Sequence, residues 1–163
     1  MRKLTFALCL VLLLVVCGAL ASTMNEQIAR RVFDEGLSQG HFDLAKTLYT
    51  PNAVVHFEQE GRDAKLENAR EEAREWRAMA PNLKMKIEGL SANGDFVTIR
   101  WAGMGEHTNA GRGIKASGKH FEVHGTSKFR FENGKIAETW VNWDENDLRK
   151  QLGAPEKQGT VRR

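Results

Sequence analysis

The chain has 163 residues, sets 24 Lys and Arg against 21 Asp and Glu for a net charge of +3, and contains two cysteines. Interleaved charges with no basic stripe of spaced aromatics argue against a nucleic-acid partner. Cys9 and Cys17 both fall in the first apolar segment, so the rest of the chain has no disulfide, thiol nucleophile or cysteine metal ligand.

Arg2 and Lys3, the apolar run Leu4 to Val16 and the small-residue site Ala19-Leu20-Ala21 predict a signal peptide over residues 1–21. The expectation is a secreted or periplasmic domain starting near Ser22, with no stable membrane insertion after cleavage. An uncleaved anchor is the alternative, because the apolar run approaches the length of a spanning helix. Val16 stands where a lipobox wants Gly, Ala or Ser, which argues against lipidation of Cys17. Residues 22–153 read as one domain, long enough to bury a core without staples, and 154–163 as a frayed tail.

Ile28, Val32, Phe33 and Leu37 recur at helical spacing and predict a helix over about Asn25–Leu37, ended by Gly36 and Gly40. Asp43 is placed to cap a short second helix carrying Leu44 and Leu48, stopped by Pro51. Val54–Phe57 reads as a brief strand. Asp63 is then the expected cap of the longest helix, about Ala64–Met79, with Leu66, Ala69, Ala73 and Trp76 on one stripe opposite a solvated row of Glu and Arg. Leu83, Met85 and Ile87 alternate with charged residues, Asn93-Gly94 turns, and Phe96–Trp101 returns as a hairpin. A second hairpin joins Lys128–Phe131 to Lys135–Trp143 through Asn133-Gly134, and a last helix follows over Glu145–Leu152. Helices followed by antiparallel strands predict an α+β domain whose curved sheet encloses a pocket.

Asp144, at the end of the last strand and flanked by Trp140 and Trp143, is the main chemical candidate. Partial desolvation there would raise its pKa and suit it to trade a proton with a carbon acid. The alternative is that it caps the helix that follows. Arg100 lies among apolar strand residues and is a candidate to meet Glu138 or an anionic substrate group. Trp140 and Trp143 have opposite strand parity, so one lines the pocket and the other faces outward. His56 and His107, each alone in its segment, are candidate hydrogen-bond donors to a substrate oxygen. His120 and His124 share a strand face but lie about 13 Å apart along it, too far to bind one ion together. The glycines from Gly103 to Gly118 lack the context of a phosphate loop.

The segment Phe129 to Gly153, with its aromatic-Arg-aromatic strand, Asn-Gly-Lys-Ile, Glu-x-Trp, Asp and Gln151-Leu152-Gly153, resembles the close of the SnoaL-like polyketide cyclases. Collinear matches extend the resemblance over nearly the whole domain: Gln39-Gly40-x-Phe42-Asp43-Leu44, the Pro-Asn-Ala-Val-Val-His run ending at His56, Ala80-Pro81-Asn82-Leu83, Gly94-Asp95-x-Val97, Arg100-Trp101, Gly105-x-His107-Thr108 and Ser117-Gly118-Lys119. The resemblance implies the cone fold of the nuclear transport factor 2-like superfamily, about three helices packed in a curved antiparallel sheet. It also implies an aspartate acting as acid/base in an intramolecular aldol condensation, with no metal or cofactor. On that reading Asp144 and His107 are catalytic, and His56, Arg100, Glu138 and Trp140 bind a hydrophobic small molecule. Where the cyclases carry a histidine before the Asn-Gly turn, this chain has Lys128-Phe129-Arg130-Phe131. A homodimer through the sheet is implied, with the glycine-rich segment crossing the mouth of the cone. A non-catalytic binding module of the same fold is the alternative function.

Overall fold

The computed structural model describes residues 22–157, so the leader and residues 158–163 of the tail lie outside them. Helix α1 covers 22–37, its last turn Val32–Leu37 opening into a π-helix in which Ser38 N–H donates to the Phe33 carbonyl at 2.9 Å. Buried Phe33 meets the rings of Trp101 and Phe129 at 6.3 and 6.2 Å. Helix α2 is a 3-10 turn, Phe42–Leu44, running into Ala45–Leu48. Asp43 does not cap it: the cap position is His41, and Asp43 pairs with Arg70 at 2.8 Å.

Strand β1, Tyr49–Phe57, begins well before the expected Val54. Pro51 is tolerated because the register with β6 shifts between Tyr49 and Val54, where no ladder hydrogen bond is demanded of it. Strand β2, Arg62–Lys65, was not expected, and it takes Asp63 away from helix capping by pairing it with His56. Helix α3 therefore runs Leu66–Met79 with Lys65 at its cap position. Its stripe faces inward as expected, but its polar face is not all solvated. Arg70 is buried, donating to the Phe42 carbonyl at 3.1 Å as well as to Asp43.

The remaining elements are β3 (Lys84–Asn93), β4 (Phe96–Glu106), β5 (His120–Glu132), β6 (Lys135–Trp143) and α4 (Glu145–Leu152). Asn133 and Gly134 have φ of 51° and 73°, the paired positive values of a two-residue hairpin turn. The sheet order is β2-β1-β6-β5-β4-β3, antiparallel throughout except that β1 runs parallel to β6. The curved antiparallel sheet is as expected, with the β1–β6 pair as its one parallel contact among the described strands. That pairing is possible because residues 58–134, more than half of the domain, serve as the crossover between β1 and β6.

The sheet curls around α1, α2 and α3, and Gly125 on β5 helps it do so. Gly125 lies opposite Trp101 on β4 and Trp143 on β6. A Cβ there would collide with the Trp101 indole and stand 2.7 Å from the Asn142 carbonyl oxygen, backbone that cannot swing away. Of the segment read as a frayed tail, residues 154–157 are anchored on α4, with Lys157 N–H donating to Asn146 Oδ1 at 2.8 Å and Ala154 N–H to the Arg149 carbonyl at 2.8 Å. Gly125→Ala should destabilise the domain by about 1–3 kcal/mol through overpacking. Urea unfolding measures this, and an unchanged midpoint would contradict the proposed close approach.

Candidate functional site

Between the helices and the inner face of the sheet lies a cavity of about 210 Å³. Its walls are mostly apolar, with Phe33, Phe57, Trp76, Trp101, Val141 and Trp143 among them. Alternation along each strand accounts for this lining. Val55 and Phe57 of β1, Val123, Ser127 and Phe129 of β5, and Thr139, Val141 and Trp143 of β6 all point to one side. Three hydroxyls interrupt the apolar wall. Burial pushes the Tyr49 phenol up to about 12 against the opposing effect of the neighbouring Thr139 hydroxyl, Ser127 Oγ accepts from Trp101 Nε1 at 3.1 Å, and Thr139 is itself buried.

One side of the cavity carries a connected ladder of charge. Arg62 donates to Glu72 at 2.7 Å and to Glu60 at 2.6 Å; Glu60 lies 3.9 Å from Arg112; Arg112 donates to Glu145 at 3.1 Å; and Glu145 accepts from Arg149 at 3.1 Å and Lys157 at 2.8 Å. Burial works to raise the Glu145 carboxyl, but Lys157 and Arg112 outweigh it and hold it below the ordinary carboxylate value. Arg112 is only 9% exposed at its side chain, its guanidinium lying 5.1 Å from the Trp76 ring and 5.8 Å from the Trp143 ring.

Local backbone chemistry sets Arg112 there. Gly111 and Ile114 exchange hydrogen bonds of 3.0 and 2.8 Å, closing a turn whose central residues, Arg112 and Gly113, have φ of 52° and 71°. Such a turn favours Asn, Asp or Gly at both positions. The turn also presses against α3, where a Cβ on Gly111 would stand 3.0 Å from Met79 Cβ. Sequence reasoning took this glycine-rich segment as a plain crossover and missed Arg112. The available signal was an arginine bracketed by glycines, Gly111-Arg112-Gly113, within a segment expected at the cavity mouth.

The residues expected to bind substrate sit elsewhere. His56, Glu138, Trp140 and Arg100 occupy the outer face of the sheet, one residue out of phase with the cavity lining. His56 stacks on Trp140 at 5.0 Å and contacts Asp63 at 2.7 Å and Glu138 at 3.2 Å. Glu138 pairs with Arg130 at 2.6 Å rather than with Arg100, which is exposed and lies over Gly89. Parity gives the cavity to Trp143 and the outer face to Trp140. Lys128 covers the outer face, 4.4 Å from the Phe96 ring and 5.4 Å from that of Trp140. Asp144 is exposed, outside the cavity lining, and caps α4 by accepting from Asn146 N–H at 2.8 Å. His107 is fully buried but also outside the lining; its Nδ1 is 3.1 Å from Ser117 Oγ and its Nε2 has no partner. His120 and His124 lie on the outer face of β5, and among the described residues no three His, Cys, Asp or Glu converge as a metal site requires.

The family model of the SnoaL-like polyketide cyclases matches residues 27–152. The chain belongs to this family. Among solved structures, a protein from Jannaschia sp. CCS1 assigned as a SnoaL-like polyketide cyclase superposes with a TM-score of 0.75 at 22% identity, over 83% of this chain and 95% of that one. A protein from Bacillus cereus ATCC 10987 assigned as a polyketide cyclase gives 0.69 at 27%, over 82% and 83%. AclR from Streptomyces galilaeus, assigned as a hydroxylase, gives 0.74 at 17%, over 81% and 97%. No curated protein matches the sequence. The fold is thereby that of the nuclear transport factor 2-like cones, as the resemblance implied.

The two buried or half-buried histidines are set to titrate in opposite directions. Burial works to lower His56, but Asp63 and Glu138 outweigh it and raise it above 6.5, whereas burial alone lowers His107. His56 therefore contributes stability that is complete below its unfolded pKa and is lost as pH rises through its folded value. His107 acts oppositely: as pH falls below about 6.5 the unfolded chain takes up the proton first, which destabilises the fold. Proton NMR titration should find midpoints above 6.5 for His56 and below it for His107. The reverse order would contradict the environments described.

Proposed function

We propose that the protein binds a hydrophobic, oxygen-bearing small molecule in the cone cavity. The observation that carries this reading is the cavity itself, an open volume walled by apolar side chains with the hydroxyls of Tyr49, Ser127 and Thr139 set among them. Family membership supports a small-molecule site, and it favours a second reading, acid/base chemistry next to a carbonyl, in which Asp144 is the acid/base and His107 assists. What favours binding alone is that Asp144 is committed to the α4 cap, is exposed and stands outside the cavity lining, out of reach of a ligand held there. Neighbours of this fold carry both cyclase and hydroxylase assignments, so the fold does not choose the chemistry.

A neutral naphthyl methyl ketone tests both readings. Wild type should bind it in isothermal titration, and Ala73→Phe, which projects a ring from α3 into the cavity, should abolish binding while keeping the melting curve cooperative. Wild-type affinity retained in Ala73→Phe would sink the cavity assignment. Deuterium exchange at the ketone's methyl group, followed by NMR in D2O, separates the second reading. Exchange accelerated by wild type and lost in Asp144→Asn would establish proton transfer by Asp144. Binding without acceleration leaves a binding module.

Export after cleavage near Ser22 and pairing of two copies through the outer sheet face belong to the same proposal. They are supported by the basic-apolar-small leader pattern and by the aromatic and ionic surface of Trp140, Phe96, Lys128 and Arg130. Among the described residues no helix is long and apolar enough to cross a membrane. On protein recovered from an expressing cell, N-terminal sequencing should begin at Ser22, and sedimentation equilibrium should give twice the chain mass. An intact leader or a monomer would reject the corresponding half.

A further inference from the structure

We infer that Arg112 is the recognition point for an anionic oxygen, a carboxylate or an enolate, on the ligand of this cavity. The inference rests on the cavity-binding reading above and specifies what the cavity selects. Four independent observations converge on this side chain. It lines the cavity, it is nine-tenths buried, its Nε is buried without a hydrogen-bond partner, and its backbone is held at φ 52° in a turn that ordinarily takes Asn, Asp or Gly.

An arginine serving only to neutralise Glu145 would not need this arrangement. Glu145 already accepts from Arg149 and Lys157. Both carboxylates near Arg112, Glu145 at 3.1 Å and Glu60 at 3.9 Å, approach the same nitrogen, Nη2, and leave the Nε donor unused. A buried donor without an acceptor is costly, and it persists in a folded protein where something else supplies the acceptor. Trp76 and Trp143, both lining the cavity and both close to the guanidinium, provide aromatic surface beside the anion site for an unsaturated or ring-bearing body. The ligand class is thus an apolar, planar molecule with a carboxylate or enolate at the Arg112 end.

The test compares 2-naphthoate with neutral 2-naphthalenemethanol by isothermal titration. Wild type should favour naphthoate by about 10- to 100-fold, the range of a charge-assisted hydrogen bond. Arg112→Gln should remove that preference and leave the alcohol's affinity within about twofold. A naphthoate preference that survives Arg112→Gln, or no preference in wild type, overturns the inference while leaving cavity binding intact. Binding of neither probe by wild type instead overturns the cavity reading and this inference with it. If Arg112→Gln does not fold, arginine side-chain NMR on wild type decides. Naphthoate but not the alcohol should shift the Arg112 Nε–H resonance, assigned through Arg112→Lys, and an unmoved resonance rejects the site.

Discussion

The contact between Arg112 and Glu145, two side chains about one-tenth exposed, joins distant parts of the chain and is reinforced by Arg149, which donates to the Arg112 carbonyl at 2.9 Å. It ties the turn after β4 to α4, and through Glu60 it reaches the loop between β1 and β2. A guanidinium drawn this far from water loses several kcal/mol of hydration, which only paired carboxylates and aromatic faces offset. Its position therefore depends on the glycines that permit the turn, the tryptophans on either side and the helix that presents Glu145. The cavity can remain an open volume because this polar framework, not tight apolar packing, closes one side of it.

Curvature is the second constraint. A sheet that wraps helices must place large side chains on its concave face without collision, and Gly125 leaves room for Trp101 to lie over β5 beside Trp143. The resulting alternation divides the two faces by chemistry. The inner face carries the cavity wall, while the outer face carries His56, Trp140, Lys128, Arg130 and Glu138 in one connected aromatic and ionic patch. A one-residue change of phase along β6 would exchange them.

The chain shares its fold with proteins assigned to different reactions, and Asp144, the aspartate that the resemblance singled out, is the cap of α4. Its carboxylate is engaged by the Asn146 N–H at the start of α4, outside the cavity lining. The cavity's own carboxylates, Glu60 and Glu72, are each paired with Arg62.

The sequence by itself determined the elements whose signals are local. The Asn133-Gly134 turn, the extent of β6, the last helix and the inward stripe of α3 follow from turn chemistry and periodicity over a few residues, and a collinear series of short motifs carried the family and its cone. Tertiary structure alone decided which side of each strand faces the helices. Alternation is legible in Glu138, Trp140 and Trp143, but the choice of concave face depends on how the whole sheet curls, so residues expected in the pocket stand on its outer surface. Asp63 became a strand residue through pairing with His56, a partner seven positions away that no capping rule anticipates. Arg112 stayed invisible for the same reason: its partners, Trp76, Trp143 and Glu145, come from distant segments, and only their convergence turns a glycine-flanked arginine into a buried cation.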